Sequence, residues 1–374
     1  MRRVLILCEY LTMLGGERSM LATLPTIRQA GFDVHVAAPA GGDLADALRR
    51  ADVPRVPWQV QDEKGERLPL KRLRADIASL VHDVRPHLLH ANSLSMSRIV
   101  GPVAAQCGVR NIGHLRDIIT LSHQAVEDIN ANERILAVSD ATRRFHVAQG
   151  IVGDKCIALH NGVDLEQFQP RNPTGYLPTE LHLPAEAQLI ATIGQLGLRK
   201  GTDVALRAAA RIAAETPTVH WLIVGERTSN KAESRDFERQ LVAASQVPPL
   251  TGRVHFLGSR NDVPRLFNEC VLFVHAARQE PLGRVLLEAA ASGVAVVATD
   301  VGGTREIFPA ESDGALLVPP DDQHAMAEAV LALLQNEARR QSLAGEARRR
   351  AEEAFDIRHA AQRLLAQYEE VLNG

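Results

Sequence analysis

Short apolar runs alternate with longer amphipathic stretches along most of this chain, and the alternation stops once and starts again. Runs at 4–8, 34–38, 88–91, 111–114, 135–138 and 157–160 are too short for helices and too continuously apolar for half-exposed strands. They read as strands buried on both faces. Helical patterns fall between them at 18–30, 44–51, 70–84, 95–107 and 140–149. Strands that alternate with helices specify a parallel sheet with helices on both sides, because a parallel crossover needs a long connection. The segment 169–188 is polar and rich in proline, which suits a linker without regular structure. The pattern then resumes, with strands at 189–193, 219–224, 254–257, 271–275, 294–298 and 316–318. Helices are expected at 203–214, 233–244, 263–268, 284–291 and 323–335. The tail 336–373 reads as helical with a break at Phe355–Asp356, and with surface pairs Glu346–Arg350 and Arg349–Glu353 at i,i+4 spacing. The fold class expected is α/β, as two tandem Rossmann-like domains at 1–170 and 189–355, joined by 171–188.

The length of 374 residues fits two cores better than one. A net charge of −3 gives no overall attraction to nucleic acid, so no nucleic-acid partner is expected. The four cysteines lie far apart with no paired spacing, which speaks against a zinc site or a disulfide framework and fits a reducing compartment. The opening MRRVLILCEY carries an apolar run that stops at Glu9, too short for the core of a secretion signal, and is read as a first strand. No stretch approaches the roughly 20 apolar residues that span a bilayer. A cytoplasmic location is expected.

The stretch 278–307, RQEPLGRVLLEAAASGVAVVATDVGGTREI, concentrates the chemistry. Glu280 and Glu288 bracket Pro281-Leu282-Gly283, a break followed by a helix-favouring apolar run. Gly293 ends that helix, a buried strand follows, and Gly302-Gly303 opens another loop. A helix N-terminus placed after such a loop suits an anion such as a diphosphate. Glu288, five residues into the helix, falls about 7 Å along its axis from the start at 1.5 Å per residue. One carboxylate can then meet each end of a nucleotide-sugar. Elsewhere, Gly15-Gly16 precede a helix after the first strand, where backbone N–H groups can approach a phosphate. No G-x-G-x-x-G follows that strand, which disfavours a nicotinamide cofactor. No Asp-x-Asp and no clustered His/Cys/carboxylate set occurs, so no metal and no cofactor are expected.

Glu280, seven residues, Glu288, then Ala-x-Ala-x-Gly, an apolar strand and Gly-Gly-x-x-Glu at Glu306 resembles the signature of the retaining glycosyltransferases of family 4, which have the GT-B fold. The resemblance implies an active site in an interdomain cleft and a C-terminal helix, 356–374, that crosses back to the first domain. It implies a metal-independent transfer of a hexose-type sugar from a UDP- or GDP-sugar, with retention of configuration. Glu288 would take the ribose hydroxyls, and Glu280 with backbone N–H groups around Leu282 and Gly283 the sugar hydroxyls. His114 would face the transferred sugar, and Gly15 and Gly16 would line the donor site. Lys200 matches the lysine of the diphosphate clamp, whereas Gln195 stands where the clamp arginine is usual; Arg199 is the candidate to supply that charge. Residues 254–258, followed by Asp262, resemble the strand and loop that bracket the base.

The resemblance leaves the acceptor open among a glycan, a lipid-linked molecule and a small molecule. The helix 70–84 has one apolar face with Lys71, Arg72 and Arg74 nearby, and reads as a sheet-covering helix rather than as a peripheral contact with the inner face of a membrane. A sugar-nucleotide epimerase or phosphorylase on the same fold, and an inactive nucleotide-sugar-binding protein, are the alternatives.

Overall fold

The computed structural model describes all 374 residues, Met1 to Gly374, as two compact units. The first comprises Met1–Gly162 and Ile357–Gly374; the second is Val163–Asp356. In the first unit the chain runs β1 (Arg2–Leu7), α1 (Gly15–Gln29), β2 (Phe32–Ala38), α2 (Gly42–Arg50), β3 (Arg55–Pro57), α3 (Leu70–Val84), β4 (Leu88–Ala91) and α4 (Leu94–Cys107). It continues through β5 (Arg110–Leu115), α5 (His123–Asn130), β6 (Arg134–Ala137), α6 (Asp140–Val147) and β7 (Cys156–Ala158). All pairings are parallel, in the order β3-β2-β1-β4-β5-β6-β7.

The continuous apolar strands follow from burial on both faces. Val4 and Ile6 join a core with Met20 and Leu24 of α1, while Leu5 and Leu7 between them join a core with Leu73 and Ile77 of α3. That placement settles the character of α3, whose apolar stripe covers the sheet. Two of its basic residues are engaged, Arg72 with Asp76 at 2.8 Å and Arg74 with Asp128 at 2.7 Å.

The second unit runs α7 (Tyr176–Glu180), β8 (Gln188–Ile193), α8 (Thr202–Glu215), β9 (Val219–Val224), α9 (Ala232–Ser245), β10 (Val254–Gly258) and α10 (Val263–Phe267). Then come β11 (Cys270–His275), α11 (Arg284–Ala291), β12 (Ala295–Thr299), α12 (Thr304–Ile307), β13 (Leu316–Val318), α13 (Gln323–Gln335) and α14 (Glu337–Ala354). The sheet order is β10-β9-β8-β11-β12-β13, again all parallel. The last helix, α15 (Ile357–Asn373), belongs to the first unit, where Leu364, Tyr368 and Val371 are buried in the core beside α1.

Several expectations need adjustment. The segment read as a linker folds with the second unit and contains α7: Leu177 is buried, and Pro178 sits in the first helical turn, where proline costs no hydrogen bond. The strand β3 and the helices α5 and α12 were not anticipated. On α14, Glu346 pairs with Arg349 at 2.5 Å instead of with Arg350, whose guanidinium reaches the carbonyls of Glu306 and Ile307 and lies over the Phe355 ring.

Candidate functional site

In an open parallel sheet, ligands collect beyond the carboxyl ends of the two strands at which the strand order reverses. In the second unit those strands are β8 and β11. The loop after β8 carries Lys200, and the loop after β11 carries Glu280. The two loops approach closely because residue 201 is glycine. Gly201 has φ +63°, and a Cβ there would lie 1.9 Å from the Ala276 carbonyl oxygen. Lys200 Nζ consequently reaches Glu280 Oε2 at 2.6 Å. The same oxygen receives His275 Nε2 at 2.8 Å, from the last residue of β11. The sequence kept Lys200 and Glu280 as separate readers of phosphate and sugar; here they form one ion pair.

Glu280 is 5% exposed. Burial alone would raise its pKa, but the Lys200 charge and the His275 hydrogen bond outweigh it and hold the carboxyl well below the usual carboxylate range. Glu280 is therefore a fixed anion and a weak base. His275 is held neutral, chiefly by burial.

Arg278 fixes the loop that carries Lys200. Its guanidinium forks onto Asp203 at 2.9 and 2.8 Å, reaches Asp321 at 2.6 Å and donates to the Leu198 carbonyl at 2.6 Å. Its backbone N–H donates to the Arg199 carbonyl at 2.9 Å. Sequence reading gives Arg278 no role and takes His275 as structural by default. An arginine beside a loop, or one histidine at a strand end, looks like any other until distant carboxylates are seen around it.

The Gly302-Gly303 loop packs on the backbone of Glu280. A Cβ at Gly302 (φ +53°) would lie 1.9 Å from the Glu280 carbonyl oxygen, and Gly303 N–H donates to that oxygen at 3.0 Å. Leu282 buries its side chain, and Gly283 is the left-handed N-cap of α11, which has neither a capping side chain nor an acid in its first turn. Glu288 is buried on α11 and paired with Arg284 at 2.7 Å. Gln195 is exposed and bonded to Thr228. Arg199 is part-buried and its charge, with that of Lys200, acts on His275. Asp262 is locked by Arg260 at 2.7 Å and by the Tyr176 hydroxyl at 2.8 Å, which together hold its carboxyl down to about 2. The loop 258–262 is thus tied to α7.

In the first unit the order reverses at β1 and β4. Gly15 and Gly16 open α1 after β1, and Asn92 and Ser93 follow β4. Asn92 Nδ2 donates to the Gly16 carbonyl at 3.3 Å. His114, expected to face a sugar, is only 2% exposed. Its Nδ1 accepts from Arg116 Nη2 at 3.1 Å and meets His90 Nε2 at 3.3 Å. A guanidinium only donates, so the hydrogen of His114 sits on Nε2, and His90 donates from Nε2 while accepting from the Tyr368 hydroxyl at 2.6 Å. Burial holds both rings neutral, His90 with a pKa of about 3. The part-buried group just past β5 is Arg116, which donates to the Asn92 carbonyl and side chain at 2.9 and 2.8 Å and to Asn161 at 3.0 Å. The cavity beside His114 and Arg116 is about 20 Å³, room for a single water. No helix in either unit is long and apolar enough to cross a membrane.

Residues 14–167 match the family model described as Glycosyltransferase Family 4, and residues 187–336 the model described as Glycosyl transferases group 1. The chain belongs to the family 4 glycosyltransferases. This glycosyltransferase is 26% identical to phosphatidyl-myo-inositol mannosyltransferase of Mycolicibacterium smegmatis, over 99% of its own chain and 94% of that protein. It is 27% identical to alpha-maltose-1-phosphate synthase of Mycobacterium tuberculosis, over 80% of its chain and 76% of that one. With spore coat protein SA of Bacillus subtilis it shares 28% identity, but it spans only 66% of that protein's length. Among solved structures, Anabaena Alr3699/HepE in complex with UDP and glucose superposes with a TM-score of 0.86 at 22% identity, covering 99% of this chain and 100% of that one. The glycosyltransferase has the GT-B fold.

Proposed function

We infer that this glycosyltransferase takes its sugar from a nucleotide-diphosphate sugar held by the second unit, and passes it to an acceptor hydroxyl with retention of configuration. The observation that carries the reading is the Lys200–Glu280–His275 cluster beyond β8 and β11, the place where such a sheet binds ligands. It joins a cation for phosphate to an anion for hydroxyls within one hydrogen bond. The Anabaena HepE structures in complex with UDP and with UDP-glucose support the donor class.

In this reading the donor diphosphate lies against Lys200 and Arg199 and the open N-terminus of α11 at Gly283, which stabilise the charge of the departing nucleotide. Gly15 and Gly16, at the start of α1, are kept as donor-site candidates of the first unit. Glu280 accepts from sugar hydroxyls through the oxygen that Lys200 and His275 leave unused, and Glu288 accepts from the ribose. The anomeric carbon breaks its bond to the diphosphate oxygen and forms one to the acceptor oxygen on the same face, and the acceptor proton passes to the leaving phosphate. Glu280, held as a weak base, acts through binding and electrostatics. No step in this reading is routed through a metal ion. His114, whose Nε2 meets no partner in the fold, is kept as the candidate to face the transferred sugar, with Arg116 held at its Nδ1.

The test is a panel of UDP- and GDP-sugars, read by thermal shift and by release of free nucleoside diphosphate in the presence of EDTA. Stabilisation and turnover by a member of the panel are expected. Absence of both with every member overturns the donor assignment.

A further inference from the structure

We propose that His275 is a positioning residue of the donor site: it spends one oxygen of Glu280 so that the other is presented to the sugar. The proposal rests on the reading that Glu280 takes a sugar hydroxyl. Lys200 and His275 both approach Oε2, at 2.6 and 2.8 Å, and neither bond involves Oε1. An ammonium has only donors and an ionised carboxylate only lone pairs, so the hydrogen of the neutral imidazole must sit on Nε2. That assigns the tautomer and leaves Nδ1 bare. The ring is itself held in place. It stacks on Phe273 with centroids 6.1 Å apart and planes at 27°, and the strand end is tied by Thr299 Oγ1, which donates to the Ala277 carbonyl.

A carboxylate gripped by one ammonium alone can turn until both oxygens share it, which withdraws Oε1 from any ligand and Lys200 from phosphate. The second donor on the same oxygen removes that freedom. His275 is 2% exposed, so its role runs through Glu280 and not through the sugar.

The experiment compares wild type, His275→Leu and His275→Gln, the glutamine amide restoring an N–H near the place of Nε2. Donor kcat and KM are measured with the nucleotide-sugar that wild type turns over, and Kd is measured for the matching free nucleoside diphosphate. His275→Leu is expected to lower donor kcat/KM roughly 10- to 100-fold, the scale of one hydrogen bond to a buried charge, with a smaller change for the sugar-free nucleotide. His275→Gln recovers most of the loss. Equal kcat/KM in wild type and His275→Leu overturns the proposal, as does an equal loss for both ligands that glutamine fails to rescue. A wild type that turns over no nucleotide-sugar overturns instead the donor reading on which the proposal stands. Should His275→Leu fail to fold, nitrogen NMR of the wild-type histidines decides: a neutral Nε2–H ring from pH 5 to 8 sustains the assignment, and titration near the ordinary histidine value overturns it.

Discussion

Replacing Lys200 by methionine deletes one charge of a buried pair and keeps most of the side-chain volume. The Lys200 side chain is 19% exposed and that of Glu280 7%, so the two partners do not respond alike. In Lys200→Met the Glu280 carboxylate stays buried with His275 as its remaining donor. Breaking a buried pair in this way costs about 3 kcal/mol, the low end of the usual range because one donor survives. In Glu280→Gln the lysine can turn to solvent, and the cost falls to about 1 kcal/mol. The double variant removes both charges and should be more stable than the sum of the single losses implies, by about 2 kcal/mol. For a unit of this size 3 kcal/mol corresponds to roughly 6–12 °C in Tm. Trp221, buried in the second unit, reports its unfolding, and Trp58→Phe removes the tryptophan of the first unit. Urea unfolding of the four proteins in that background gives the cycle. The sign of the pH effect follows from the depressed carboxyl: its contribution is full above the ordinary value of 4.5 and is lost as pH falls below it. Lys200→Met should therefore lose less stability than wild type as the pH is lowered below that value. Additive single losses, or an unchanged acid response, refute the reasoning.

Arg278→Lys keeps a charge but cannot reach Asp203, Asp321 and the Leu198 carbonyl together; it should weaken nucleoside diphosphate binding about tenfold by titration calorimetry, and unchanged affinity would remove Arg278 from the site's support. His90 and His114 are neutral in the fold and take up protons when unfolded below the ordinary value of 6.5, so the unfolded state gains protons and stability falls with pH. For His90 the window runs from 6.5 down to about 3, at about 1.4 kcal/mol per pH unit. Urea midpoints should fall steadily from pH 6.5 to pH 4.5 and stay level just above that range; a flat profile across it contradicts the burial of these rings.

The alternation of apolar and amphipathic runs was enough to place both sheets, and β4, β9, β13, α3, α11 and α13 begin and end where the pattern does. What it missed has physical causes. The strand β3 is three residues of edge, Arg55-Val56-Pro57, with no apolar run to announce it. Prolines concealed α7 because they are tolerated in a first turn. At the site, Glu280 and Lys200 were legible from the residues around them, but their mutual bond depends on glycine at 201 and on Arg278, 80 residues from the carbonyl it holds. The role of His114 is implied by the family resemblance, and strand periodicity adds nothing to it. In a parallel sheet covered on both faces, alternate residues are equally apolar, so the pattern does not say which residue at a strand end stays inside. The structure keeps His114 inside and leaves Arg116 at the edge.

The most direct test of a donor site built on Lys200 and Glu280 is calorimetric titration of a nucleoside diphosphate and of its sugar ester into wild type, Lys200→Met and Glu280→Gln. The lysine variant should bind both ligands about 10- to 100-fold more weakly, and the glutamine variant should lose affinity mainly for the sugar ester. Wild-type affinity for both ligands in both variants would contradict the account.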